Sequence, residues 1–207
     1  MVTILFGVAA FALFFLSDFL QVASPKHANS RYFFAGTLLL ALTTAHILYK
    51  SWRTTANPIY QIIAGAALAV LFCILLLYTL FFALPYDATY KTDDRSSTGM
   101  RPVVTYGVYA LCRHPGILWF AAMYGSLYLA LGGPLLRVAC PLFSALNLLY
   151  AALQDIYVFP RQFTGYGDYK RLAPFLIPTR ASIRRCVKTW PTQKARNPAT
   201  QGGSDEI

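Results

Sequence analysis

Five apolar stretches, each close to the length of a bilayer crossing, leave this chain few folds to adopt. They run from Val2 to about Ala23, Tyr32 to Tyr49, Ile59 to Leu84, Gly116 to Leu131 and Leu135 to Leu153. A helix of about 20 apolar residues crosses the hydrocarbon core. With no water there, a spanning segment must satisfy its own backbone, which an apolar helix does. Apolar residues make up 57% of the 207 and charged residues only 13%, with a mean hydropathy of +0.47. That composition belongs to the membrane class rather than to a soluble domain. The expected fold is all-α and integral to the membrane, with about five transmembrane helices and a C-terminal interfacial helical segment. Residues 1–178 are expected to form a single domain, and 179–207 a basic, disordered tail.

The first stretch lacks the basic leader and small-x-small cleavage site of a signal peptide, so it reads as a span. Asp18 lies inside it near its far end. An acid in a span is a functional candidate; close to an interface it is also a solvated helix end, and the second reading is favoured. His46 in the second stretch reads as a hydrogen-bonded interior residue. Small residues around Gly65 (Ala64, Ala66, Ala67, Ala69) suit close helix contact in the third. The cysteines, Cys73, Cys112, Cys140 and Cys186, form no C-x-x-C pair, so neither a disulfide framework nor a metal site is indicated.

The net charge of +10 comes with no nucleic-acid motif. With five spans, 15 of the 18 Lys and Arg fall on one side, in the turn at 24–31, the loop at 85–115 and the tail. The positive-inside rule makes that side cytosolic and puts the N-terminus outside.

Between the third and fourth stretches lies the sequence Gly107-Val108-Tyr109-Ala110-Leu111-Cys112-Arg113-His114-Pro115. Pro115 suits the first turn of a helix. The amides of that turn, with Arg113, make a site for a carboxylate, and His114 adds a group that titrates near neutral pH. An Arg and a His at a span's end also serve as a charged flank. Gly132-Gly133-Pro134 makes the fourth and fifth spans a helical hairpin. Gln154 and Asp155 are thereby expected back near Arg113 and His114. This set suits a small zwitterionic cofactor, Arg113 taking its carboxylate and Asp155 its ammonium or a hydroxyl.

The pattern Gly107-x-Tyr109-x-x-x-Arg113-His114-Pro115 resembles that of the small membrane methyltransferases, which include isoprenylcysteine carboxyl methyltransferase and phospholipid N-methyltransferase. The downstream run Tyr166-x-x-Tyr169-x-x-x-Ala173-Pro174-x-x-Ile177-Pro178 resembles the family's second motif, departing at Ala173. The likeness covers roughly Tyr106 to Pro178, within a motif-bearing part at 104–178. It implies S-adenosylmethionine as cofactor, held by Gly107, Tyr109, Arg113, His114, Pro115, Gln154, Asp155 and Tyr169. It makes Arg113, His114 and Asp155 the catalytic candidates. It also implies a lipidic or prenylated acceptor, carboxyl O-methylation ahead of phospholipid N-methylation, and a cytosolic-face site, with the endoplasmic reticulum as the expected membrane. The family's Glu-Glu pair is Gln154-Asp155 here, so one charge is missing. A NADPH-dependent reductase of related fold is disfavoured by the short chain. A catalytically degenerate membrane scaffold is the non-enzymatic alternative.

Overall fold

A computed structural model describes residues 2–23, 31–83 and 100–195. The turn carrying Lys26 and His27, most of the loop before Val103 and the last residues of the tail lie outside the described residues. The fold is all-α and of integral-membrane type. Among the described residues four helices are long and apolar enough to cross a membrane: Val2–Ala23, Arg31–Trp52, Ile59–Phe82 and Pro134–Gln162; Pro115–Leu131 is a shorter apolar helix.

In chain order, α1 is Val2–Ala23 and α2 Arg31–Trp52. Helix α3, Ile59–Leu77, widens into a π-helical turn at Tyr78–Phe82. A two-residue strand β1 (Arg101–Pro102) precedes the short α4, Val108–Leu111. Helix α5 is Pro115–Leu131. Helix α6, Pro134–Leu153, continues through a second π-helical turn, Gln154–Val158, into α7, Phe159–Gln162. Strand β2 (Phe163–Thr164), α8 (Tyr166–Leu172) and α9 (Arg180–Ala195) complete the described residues. The two strands pair in parallel, Arg101 with Phe163 and Pro102 with Thr164. The chain divides into two compact units, residues 1–74 with 119–158, and 75–118 with 159–207.

The first unit has an aromatic core. Phe11 of α1 meets Phe14, Phe120 and Phe143 with ring centroids 5.7, 6.2 and 6.1 Å apart. The buried Tyr124 ring lies edge-on to Phe143, and its hydroxyl hydrogen-bonds the Thr44 hydroxyl at 2.5 Å. Glycines bring the helices close where a side chain has no room. A Cβ at Gly36 would stand 2.9 Å from the Ala10 carbonyl oxygen of α1.

A Cβ at Gly65 would lie 2.7–2.9 Å from the Cβ, Cα and N of Ala130, so of the small-residue patch read from the sequence Gly65 makes the close helix contact and Ala69 is buried, while Ala64, Ala66 and Ala67 are exposed. Two of those three atoms are backbone and cannot rotate away. Gly65→Ala is expected to cost about 1–3 kcal/mol through overpacking, measured as a lower thermal midpoint in detergent.

The turn between α5 and α6 follows from its residues. Gly132 and Gly133 have φ of +63° and +90°, a region closed to most L side chains, and Pro134 opens the next helix. Asn57 Nδ2 donates to the carbonyls of Leu129 and Ala130 at 3.2 and 3.0 Å, and Gln61 Nε2 to Leu129 at 2.8 Å. The carbonyls that end α5 therefore have partners in an apolar setting.

Residues 180–195 depart from the disorder expected of the tail: they form α9. The reason is local. Thr179 and Ser182 cap the helix reciprocally, each amide donating to the other's hydroxyl at 2.9 and 3.1 Å, as in a capping box. Ser182, Cys186 and Thr189 then share one helix face; Ser182 and Cys186 are buried and Thr189 is partly so.

Candidate functional site

The second unit brings together the two sequence motifs, which lie about 60 residues apart in the chain. The Arg113 amide donates to the Pro174 carbonyl at 2.9 Å and the His114 amide to the Phe175 carbonyl at 3.2 Å. Nη1 of Arg113 donates to the carbonyls of Lys170 at 3.1 Å and Ala173 at 2.7 Å, oxygens that the end of α8 leaves without helical donors. The guanidinium also lies over the Phe175 ring, 5.6 Å from its centroid. Tyr169, buried on α8, donates its hydroxyl to the Tyr109 carbonyl at 2.7 Å.

Each of the remaining motif residues has a definable position. Gly107 has φ +61° and ψ −136°, outside the conformations open to other residues, and immediately precedes α4. Its amide donates to Thr189 Oγ1 of α9 at 3.0 Å. The Tyr109 hydroxyl donates to the Thr79 carbonyl at 3.0 Å, within the π-helical turn where the regular bonding ladder is interrupted. The buried His114 ring lies nearly parallel to Phe159, with centroids 5.7 Å apart at 10°, and tilted against Phe175 at 5.0 Å. Pro115 is buried at the start of α5. Of the first-turn amides expected to receive an anion, that of Ile117 bonds the His114 carbonyl at 3.2 Å.

Burial shapes the ionisation here. Desolvation holds the Tyr109 and Tyr169 phenols well above their ordinary range, so both stay neutral as hydrogen-bond donors. It pushes the Cys112 thiol up to about 12, which keeps this buried cysteine inert at neutral pH. Below α4, the rings of Tyr166 and Tyr169 pack with Tyr109, Phe159, Phe163 and Val103.

Gln154 and Asp155 belong to the first unit, in the π-helical turn that ends α6. Asp155 is buried, with 3% of its surface exposed. Gln154 Nε2 donates to Asp18 Oδ2 at 2.7 Å, and the Tyr150 hydroxyl also reaches that carboxylate. Asp18 is 8% exposed, which corrects the solvated helix end expected from its place in the sequence. Its position inside an apolar span was the signal. A carboxylate placed there needs hydrogen-bonding partners, and Tyr150 and Gln154, four residues apart on one helix face, supply them.

Comparison of the chain with protein-family models, with curated proteins and with solved structures gave no match.

Proposed function

We propose that this protein is an S-adenosylmethionine-dependent membrane methyltransferase acting on a lipidic or prenylated acceptor, with carboxyl O-methylation favoured over phospholipid N-methylation. The observation that carries the proposal is the joining of the two motifs, Arg113 and His114 on one strand of the contact, Lys170 to Phe175 on the other.

The residues fit the cofactor in kind. Arg113 presents a cation suited to a carboxylate, and His114 lies beside it among the aromatic rings of Phe159 and Phe175. The resemblance adds Asp155 for the ammonium. When bound, the cofactor supplies an electrophilic methyl group. The chain's part is then to position and to exclude water, which suffices for a carboxylate acceptor. An amine acceptor must also lose a proton, and His114 is the base within the motif.

A second reading has support of its own. Arg113 already bonds two carbonyls, which is what a structural role requires, and this favours a non-enzymatic scaffold of the same fold. Titration calorimetry of the purified full-length protein in detergent separates the two. Saturable S-adenosylmethionine binding, lost in a folded Asp155→Asn variant together with transfer of labelled methyl to a lipid extract, supports the enzyme. No binding by the native protein leaves the scaffold.

The proposed orientation, read from the distribution of Lys and Arg, has the motif-bearing side in the cytosol, with the endoplasmic reticulum as the proposed membrane. A glycosylation acceptor fused after Ile207 is expected to stay unmodified and one before Met1 to be modified. The reverse pattern would put the cofactor site on the wrong face.

A further inference from the structure

The first unit contains a groove of about 610 Å³ whose lining shares only Gln154 with the residues assigned to the cofactor. Its walls are Phe15, Leu16 and Phe19 of α1, and Leu153, Tyr157 and Val158 at the end of α6. Leu16, Phe19 and Leu153 keep 41, 57 and 43% of their surface exposed, so in a bilayer the groove opens sideways to lipid. Asp18, Tyr150 and Gln154 also line it.

Asp18 carries the inference. Its carboxylate accepts a hydrogen bond from the Gln154 amide at 2.7 Å, and Tyr150 lines the groove beside it. These orient the oxygens but bring no positive charge. Among the described residues no Lys, Arg or His pairs with Asp18. A buried carboxylate is costly until a cation or proton meets it, and an apolar groove leading to one matches a molecule with a chain and a positive head.

We propose that this groove binds an ammonium-headed amphiphile, the ammonium at the Asp18 carboxylate and the chain along Phe15, Leu16, Phe19 and Leu153. The volume lies within the range of small-molecule pockets, where apolar walls supply affinity and a few polar groups fix orientation. A carboxylate head would face like charge, and a hydroxyl head would bring no charge to complement it. The proposal rests on Asp18 and the apolar walls, not on methyl transfer, and its readout is binding alone.

The test uses the full-length protein in detergent and a photoreactive dodecylamine, with dodecylamine, dodecanol, dodecanoate and ethylamine as competitors. Cross-links are expected within residues 15–19 or 153–158. Dodecylamine is expected to displace the probe at a concentration at least tenfold lower than dodecanol, dodecanoate or ethylamine. Asp18→Asn is expected to erase the preference for amine over alcohol, and Leu16→Trp, which fills the groove, to reduce labelling. Equal displacement by dodecanol would show that Asp18 carries a proton and selects nothing, overturning the proposal. Equal displacement by ethylamine would show a small-amine site rather than one for an amphiphile, and would also overturn it. The head-group ranking on the native protein decides the matter even where a variant fails to fold.

Discussion

Gln154→Glu is expected to destabilise the protein by about 2–4 kcal/mol, the range for breaking a buried charged hydrogen bond and leaving a like charge in its place. Gln154 Nε2 stands 2.7 Å from Asp18 Oδ2, so a carboxylate at position 154 would face a second carboxylate in an apolar groove. For a chain of this size that loss lowers the thermal midpoint by on the order of 5–10 °C. The partner substitution supplies the control. Asp18→Asn combined with Gln154→Glu again pairs one amide with one carboxylate, and the double variant should recover most of the lost stability in a double-mutant cycle. A midpoint for Gln154→Glu within a degree of the parent would show that the two side chains do not meet. Judged by the resemblance alone, the same substitution restores a missing family charge and ought to be tolerated. The contact with Asp18 reverses the expected sign.

Arg113→Ala is expected to be the most damaging single change in the motif. It removes a cationic donor from the carbonyls of Lys170 and Ala173, a loss on the order of 3–5 kcal/mol at the usual strength of two charge-assisted bonds. S-adenosylmethionine binding by the folded fraction should weaken by about 1.5–3 kcal/mol in addition. Arg113→Lys should return roughly half of the stability, since one ammonium cannot reproduce a planar fork on two oxygens. Measuring unfolding and cofactor titration on the same preparations separates the roles. Lost stability with unchanged binding would make Arg113 a brace only; lost binding with unchanged stability would make it a ligand group only.

The spans were legible because hydropathy acts over 20 residues and needs no partner to be read. The glycine pair at 132–133 announced its own turn, and Gly65 its close contact, since in both cases the constraint belongs to a single residue. The meeting of Arg113 with Ala173 and Pro174 was foreshadowed only by the resemblance of two separate motifs; nothing local to either one contains the other. The burial of Asp18 is not legible locally, because it depends on Tyr150 and Gln154, more than 130 residues away. The helix at Arg180–Ala195 was missed through its polar composition, although Thr179 and Ser182 sit at the spacing of a reciprocal cap, and an apolar stripe of Ile183, Val187 and Trp190 runs along it.

The bond from Gly107 to Thr189 has a consequence for the order of events during synthesis. At roughly 5–20 residues per second, 82 residues separate the emergence of these two positions by about 4–16 s. Tyr109 waits a similar time for Tyr169, and Arg113 for Ala173. The segment at 107–114 thus leaves the ribosome well before any of these partners exists. Helices α1 and α2, which pack extensively on each other, need no such delay. A ribosome stalled before residue 169 would hold a chain whose early helices have paired while the Arg-His-Pro segment is still open to chaperones and proteases. Closure of that segment therefore reports that synthesis has passed Thr189.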